Sequence, residues 1–241
     1  MWDNAKLLDS TANVIFIFGV LAILYGTIHY VVHLPKLLPL SSVRLETVPQ
    51  RVSAEGVAQV ARNEMRGNLF TVDIERVRRS MEKLPWVRSV SIRREFPNLL
   101  AVKLEEHRVL AKWNSNELVN QYGEVFAVEA DWATKGDGEL PEFVGMEGTS
   151  AEITNYYGEF SRQLESVGLR MAKLTLSPRH ALQLRLRNGV VLELGREDVQ
   201  QRLARFVEIY PYSLAAEQGK LKYVDLRYRN GFAVGGLGRQ G

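Results

Sequence analysis

The sequence predicts an α+β protein with one amino-terminal transmembrane helix, a small β-α-α-β-β module and a strand-rich carboxy-terminal domain with two packed helices. Three observations support this fold class: one apolar run long enough to cross a bilayer, two short helical patterns followed by a pair of strands, and alternating strands around two longer amphipathic helices. The 241 residues are 46% apolar and 24% charged, which suits two small folded domains and excludes a disordered or collagen-like chain.

The first element is an uncharged segment between Ser10 and Pro35. At 1.5 Å per residue its apolar part spans the ~30 Å hydrocarbon core, and no Ala-x-Ala cleavage signal follows it. We therefore predict a short cytoplasmic tail at 1–11 and an uncleaved transmembrane helix at 12–34. The flanking charges would instead place the folded part in the cytoplasm, because one basic residue precedes the anchor and more follow it: Lys6, then Lys36, Arg44 and Arg51.

Residues 40–108 carry the pattern of the small module. Ser53 and Asp73 are suited to cap two helices, and Pro85 ends the second helix. Two strands then meet at the turn pair Pro97-Asn98. The expected order is strand, helix, helix, strand, strand, with the strands at 43–48, 87–96 and 99–106.

Residues 109–234 carry the pattern of the strand-rich domain, followed by a tail at 235–241 that we expect to be flexible. A capping box at Thr149 and Glu152 begins one helix, and a second helix runs from about Arg196 to Tyr210. Asn188-Gly189 is the strongest hairpin signal in the chain. Strands are predicted at 111–119, 124–128, 171–177, 181–187, 190–194 and 220–229.

Several motifs are more specific than this architecture. Residues 84–98, LPWVRSVSIRREFPN, resemble a hairpin of the FtsQ/DivIB family of bacterial cell-division proteins. Residues 111–114 are similar to the start of that family's second domain, and residues 223–231 are similar to its terminal strand. The resemblance implies that residues 40–108 are a POTRA domain and residues 109–234 are the family's β domain.

The resemblance also implies location and topology. A family member is a single-pass type II protein of the bacterial inner membrane, with a cytoplasmic amino terminus and a periplasmic bulk, and it acts at the division septum. This implication overrides the charge count, since long domains are translocated largely regardless of flanking charge.

The function implied is that of a non-enzymatic divisome scaffold. Such a scaffold is essential for septum formation, links early and late division proteins, and controls septal peptidoglycan synthesis by binding the FtsB–FtsL complex through its carboxy-terminal edge strand. FtsK, FtsW and FtsN are further partners expected at the POTRA domain and the transmembrane helix. We expect no catalytic residue, cofactor, metal, nucleic acid or small-molecule substrate.

The last predicted strand, at 220–229, mixes apolar and basic residues. On the residues alone, its lysines either prevent aggregation of an exposed sheet edge or flank an edge that accepts a partner strand. The resemblance favours the partner strand and implies a binding set made of Arg179, Tyr223, Leu226, Arg227, Tyr228, Asn230 and Gly231. Two positions depart from well-known family members: Asn230 replaces a serine, and Gly236 stands where those members have a tryptophan.

Other chemistry has weaker signals. The pattern Gly236-x-Gly238-x-x-Gly241 lacks the helix that a dinucleotide site needs, and the adjacent residues Glu105 and Glu106 point to opposite faces of a strand. The alternative function is a membrane-anchored envelope enzyme that acts on cell-wall polymers. It would need convergent carboxylates within the acidic stretch 124–152.

The charge is unevenly distributed along the chain. Residues 43–109 carry a net charge of +4, residues 110–171 carry −7, and residues 172–241 carry +6. Either the segments neutralise one another in the fold or separate faces meet separate partners. A basic cluster in the first segment is, in the same way, either a solvated face or a contact for anionic lipid or an acidic partner: Arg76, Arg78, Arg79, Arg88, Arg93 and Arg94.

Overall fold

The computed structural model describes residues 5–34, 40, 42–114, 117–128, 139–217, 219–228 and 231–236. It divides into two compact units at the step from Glu106 to His107. The first unit contains the amino-terminal helix and the small module, and the second contains the strand-rich domain. The predicted α+β class is confirmed.

Helix α1, Ala5–Val32, contains the apolar segment. Its stretch Asp9–Val32 is 24 residues long with a mean hydropathy of 2.1, and among the described residues no other helix is long and apolar enough to cross a membrane. No side chain in the apolar window of this stretch is buried. The helix therefore has the length and surface of a membrane span.

The small module has the predicted order of elements. Three strands form a sheet in the order β1-β3-β2, with β1 parallel to β3 and β2 antiparallel to it. The side chains of Ser53 and Asp73 accept hydrogen bonds from the amides of Gly56 and Arg76, at 3.3 and 3.0 Å, and so cap the two helices as expected. The elements are β1 Ser42–Leu45, α2 Ala54–Glu64, α3 Ile74–Met81, β2 Val87–Glu95 and β3 Leu99–Glu106.

The module has its own hydrophobic core. Val77, Met81, Leu100 and Val102 are fully buried where the helices pack on the sheet. A carboxylate oxygen of Glu106 also accepts hydrogen bonds from three successive amides at 2.8–2.9 Å, those of residues 50–52. The three bonds fix the loop before α2 to the end of β3, so the module is closed by contacts among its own residues.

A fragment of residues 40–108 should therefore fold without the rest of the chain. We expect one cooperative thermal transition, since the core lies wholly within this segment. Trp86 is the only tryptophan of the fragment; it is half-buried beneath the Arg51 guanidinium, 4.5 Å from the ring centre, and its fluorescence reports the transition. A gradual change without a transition would contradict the boundary.

The basic cluster is largely neutralised within the module. Arg78 pairs with Glu75 and Glu82 on its own helix, at 2.7 and 3.0 Å. The other ion pairs are Arg76–Glu64, Arg88–Glu105 and Arg93–Glu46, and Arg94 donates to the carbonyls of Leu69 and Val72. Of the two interpretations of this cluster, the structure favours a face whose charges are balanced internally.

The second unit is built on a nine-stranded mixed sheet of described residues. Its order is β12-β11-β10-β9-β8-β7-β4-β5-β6. The strands are β4 Val109–Trp113, β5 Glu117–Asn120, β6 Val125–Phe126, β7 Glu142–Val144, β8 Met171–Leu176, β9 Leu182–Leu186, β10 Val191–Gly195, β11 Tyr223–Asp225 and β12 Ala233–Gly235. Asn188-Gly189 forms the predicted hairpin between β9 and β10, with Gly189 at φ 90°.

Two helices of this unit pack on the sheet: α4, Ser150–Glu165, on β8 and α5, Val199–Ile209, on β10. Phe143, Phe160 and Phe206 are the largest fully buried side chains of this core, which also contains Trp113. Beyond α5 the chain continues through a π-helical turn, Tyr210–Leu214, and a short 3-10 helix, Ala215–Glu217. Pro211 thus changes the helix type and does not end the helical path as predicted.

Before α4, the strands of this unit differ from the prediction in two places. The single strand at 111–119 is a hairpin of β4 and β5, because Asn114 adopts φ 46° and its side chain hydrogen-bonds the backbone of Gly145. Strand β7 lies between the predicted strands at 124–128 and 171–177, where no strand was expected, and it pairs in parallel with both β4 and β8. Residues 129–138 of the acidic stretch 124–152 lie outside the described residues.

Candidate partner-binding site

The two carboxy-terminal strands, β11 and β12, form one lateral edge of the large sheet. β11 pairs in parallel with β10, with Tyr223 opposite Val191 and Asp225 opposite Glu193. On its other side β11 pairs antiparallel with β12, with Val224 opposite Val234. The ladder extends past both ends of β11, since the amide of Leu226 donates to the carbonyl of Glu193 at 2.9 Å and that of Lys222 donates to Gly235 at 3.0 Å.

This arrangement corrects the expectation that the strand at 220–229 is the sheet edge. β11 covers only Tyr223–Asp225 and lies between two neighbours, so its backbone groups are already used. The terminal strand is β12, Ala233–Gly235, which includes the first residue of the segment expected to be a flexible tail. On the carboxy-terminal side, the edge of the described sheet is therefore the outer side of β12; the opposite edge strand is β6.

Strand β12 is held against β11 through its two faces. Phe232 and Val234 pack against the main core, and Gly235 lies beneath the ring of Tyr223. A Cβ atom on Gly235 would come within 1.9 Å of that ring, so the close approach requires glycine. Tyr223 thus covers the terminal strand and is half-exposed on its other side.

Arg227 and Asp225 form a two-point ion pair directly after β11. The Nε and Nη2 atoms of Arg227 donate to the two carboxylate oxygens of Asp225 at 2.9 and 2.6 Å, and the Arg227 amide donates to the first of them at 3.1 Å. The hydrogen bonds from Arg227 hold the pKa of the Asp225 carboxyl below its usual range, although its burial acts in the opposite direction. The pair is therefore fully charged at neutral pH, with the Arg227 side chain largely exposed.

Tyr228 extends from the end of this pair into solvent, with 58% of its surface exposed. Its carbonyl oxygen is 3.4 Å from Nη2 of Arg205 on α5, so the backbone at this position lies beside that helix. A second arginine of the helix, Arg202, donates to the carbonyl of Leu194 at the end of β10 at 2.7 Å. These two arginines were not among the predicted binding residues. Arg205 contacts the backbone of the segment that presents Tyr228, and Arg202 connects α5 to the end of β10.

Arg179 lies in the turn between β8 and β9 and is exposed. The register places Leu182 opposite Gly195, which is the end of β10 next to Arg227. Arg179, Arg227 and Tyr228 are therefore at the same end of the sheet, with β9 and β11 separated by the single strand β10. At a strand spacing of about 4.8 Å, one extended ligand can reach both arginines.

The structure does not group the other predicted residues Leu226, Gly231 and Asn230 with these three side chains. Leu226 is a core residue, 2% exposed, and its amide is bonded to Glu193; its side chain supports the sheet and is not presented to a partner. Gly231 is exposed just before β12. Asn230 lies outside the described residues. The signal that sequence reasoning missed is the alternation of apolar side chains at Phe232 and Val234, which is typical of a strand.

The acidic stretch proposed for the alternative enzyme is used structurally where it is described. Glu142 pairs with Lys173 at 3.0 Å and Glu139 pairs with Arg187 at 3.1 Å. Glu124 hydrogen-bonds the buried side chain of Asn120 at 2.6 Å. Within the described ranges no group of three or more histidine and acidic side chains is suited to hold a metal ion.

The fold defines a class: a single-span protein whose folded part consists of a POTRA domain and a mixed-sheet domain. The family profile "POTRA domain, FtsQ-type" matches residues 38–107, and the profile "Cell division protein FtsQ/DivIB, C-terminal" matches residues 110–227. The chain belongs to the FtsQ/DivIB family of cell division proteins.

Similar proteins extend the match beyond the profiles. The "Cell division protein FtsQ" of Nitrosospira multiformis is 38% identical, over 98% of this chain and 99% of its own length. The proteins of the same name from Burkholderia pseudomallei and Bordetella pertussis are 34% and 32% identical, over 99% and 97% of this chain and 95% and 92% of their own lengths. The profile match ends at Arg227, so β12 lies within the similarity to whole proteins and outside the profile.

Proposed function

We propose that this chain is a non-enzymatic scaffold of the inner-membrane division machinery that binds the FtsB–FtsL complex through the outer edge of β12. Through this contact it links early and late division proteins and controls septal peptidoglycan synthesis, which makes it essential for septum formation. FtsK, FtsW and FtsN are further partners of the POTRA domain and the span. Antiparallel or parallel addition of one partner strand would extend the sheet by main-chain hydrogen bonds.

One observation carries this proposal. The outer edge of β12 is unpaired within the described sheet, and β12 begins opposite Asp225, at the end of β11 that Arg227 and Tyr228 follow. Arg179 lies in the β8–β9 turn at the same ends of the strands. Main-chain hydrogen bonds along a sheet edge supply affinity but discriminate little between partner sequences. The adjacent side chains supply the specificity. Two arginines at the same end suit an acidic partner segment, and the exposed tyrosine suits an apolar contact.

Charge reversal at Arg179 tests the proposed partner. Arg179→Glu should weaken binding of FtsB–FtsL to the full chain about tenfold at low salt and less at high salt, because like charge would face an acidic segment. Titration calorimetry in detergent measures the affinity. Arg162→Glu on α4 makes the same change of charge away from this edge and should bind like the wild type. Equal binding by both variants would contradict an acidic partner at Arg179.

Charge reversal at Arg227 is a less specific test, because it would also change the structure around Asp225. A glutamate there would also remove the two-point pair with Asp225 and leave a mostly buried carboxylate without its partner. Loss of binding by Arg227→Glu would then report local unfolding as well as charge. For this reason the reversal at Arg179, not at Arg227, is the primary test.

The proposal includes a cytoplasmic amino terminus and a periplasmic bulk at the division septum. A reporter that is active only outside the cytoplasm, fused after Gly241, should be active, because one span leaves both folded units on one side of the membrane. The matched control is a reporter that is active only in the cytoplasm, fused at the same position, which should be silent. The opposite pair of results would contradict the topology and support the flanking-charge count.

A further inference from the structure

The POTRA domain is attached to the end of the membrane span by one buried side chain. The side-chain nitrogen Nδ2 of Asn68 donates to the backbone carbonyls of Val32 and Leu34, at 2.6 and 3.2 Å. These carbonyls lie at the end of helix α1, where the helix itself supplies no further amides to bond them. Asn68 is 1% exposed, so the contact is enclosed by protein.

The same side chain positions Phe70. The side-chain oxygen Oδ1 of Asn68 accepts hydrogen bonds from the backbone amides of Phe70 and Thr71, both at 2.9 Å. Phe70 is therefore connected to the last carbonyls of the span through a single asparagine. Arg94 fixes the same loop from the other side, because it donates to the carbonyls of Leu69 and Val72.

Phe96, at the turn between β2 and β3, lies against Phe70. The ring centres are 6.2 Å apart in an edge-to-face arrangement, and the rings remain 73% and 44% exposed, respectively. The two contacting phenylalanines form a small apolar patch on the surface of the domain. The tryptophan of the same domain, Trp86, is by contrast half-buried.

The strand register places this patch on the membrane side of the domain. The chain leaves the span and enters the sheet at Ser42, which pairs with Leu99 immediately after the turn that carries Phe96. The far end of the sheet, at Glu106, is seven residues further along β3, a distance of about 23 Å. Val48, which is 88% exposed, belongs to that far end, since the neighbouring amide of Gln50 binds Glu106.

We propose that Phe70 and Phe96 insert into the interface of the lipid bilayer and form a second membrane anchor for the POTRA domain. The ligand is the boundary between the lipid headgroups and acyl chains, where aromatic side chains partition favourably. Arg78, Arg88 and Arg93 are paired with glutamates of the domain itself, which argues against a purely electrostatic attachment of these residues to anionic lipid. Asn68 and Arg94 are positioning residues that hold the loop of Phe70 at the level where the span ends, and Phe96 contacts Phe70 there.

Single-cysteine labelling of the full chain tests this proposal. The sequence contains no cysteine, so Phe70→Cys, Phe96→Cys and the control Val48→Cys each carry one reactive thiol. Each variant is labelled with an environment-sensitive fluorophore and reconstituted into vesicles of phosphatidylethanolamine and phosphatidylglycerol. Nitroxide lipids then quench the label at two depths, the headgroup and carbon 5 of the acyl chain. Circular dichroism and a thermal transition like that of the wild type check that each variant is folded.

We expect the labels at positions 70 and 96 to be quenched at least about twofold more by the carbon-5 nitroxide than the label at position 48. They should also be quenched more by this nitroxide than by the headgroup nitroxide. Stronger quenching by the headgroup nitroxide would mean that the rings stay near the surface without inserting. A blue-shifted label that lipid does not quench would mean that protein, such as a second copy of the chain, covers the patch. Either result would overturn the proposal.

Discussion

Removal of β12 should abolish binding of FtsB–FtsL. A chain that ends at Phe232 lacks Ala233–Gly235 and with it the outer edge of the sheet. We expect the affinity to fall by a factor on the order of 100 or more, because main-chain pairing supplies most of the affinity when a strand is added to a sheet. Calorimetry with the full chain in detergent as reference measures this loss.

The truncation also separates two possible docking edges. Without β12 the outer side of β11 is exposed, so a partner that pairs with residues 223–225 would bind the truncated chain as well or better. Retained binding would thus support the sequence-based expectation of a docking strand at 220–229 and contradict docking on β12. A chain ending at Gly236 keeps the strand and is the matched control. Near-ultraviolet circular dichroism should show that the main core, which lies mostly before residue 230, remains folded.

The elements that sequence reasoning predicted correctly are those with local signals. Ser53 and Asp73 cap their helices within the next three residues, and Asn188-Gly189 closes a hairpin between strands that are adjacent in sequence. The apolar span needs no partner within the protein. Each of these features depends on a few neighbouring residues, so a single sequence is sufficient to reveal it.

The elements that were missed depend on partners far away in sequence. β7 is three residues long and is a strand because β4 and β8 pair with it on both sides. β11 pairs in parallel with β10 across a whole helix, and β12 then covers β11. A strand of three residues is too short to show a recognisable alternation of apolar and polar side chains. The register between distant strands is set by tertiary packing.

At the candidate site, too, the sequence indicated some residues correctly and could not show contacts that depend on the folded structure. The resemblance indicated Arg179, Arg227 and Tyr228, and the register brings their strands and turns to one end of the sheet. It could not indicate that Leu226 is buried, because the apolar side of a strand can face a core or a partner. It also could not indicate that Arg227 is committed to Asp225, since a pair two residues apart depends on the turn of the backbone after β11.

Replacing Tyr228 with alanine should weaken binding of FtsB–FtsL by about 2 kcal/mol or more, since a tyrosine that becomes buried in an interface is often one of the few residues that dominate binding. This corresponds to a loss of affinity of roughly thirtyfold. The side chain of Tyr228 is mostly exposed in the free protein, so its removal should cost the fold little. The affinity of the full chain is measured by calorimetry, with thermal unfolding as the test of stability.

Tyr212→Ala is the matched control for this prediction. Tyr212 is 89% exposed, lies in the π-helical turn after α5, and loses the same number of atoms when it is truncated to alanine. We expect its binding to equal that of the wild type. If Tyr228→Ala remains folded and binds as tightly as Tyr212→Ala, the aromatic contact does not exist, and the docking site must be moved away from the segment that follows β11. If both variants lose affinity equally, the effect is unspecific, and the assignment of Tyr228 as a binding residue is wrong.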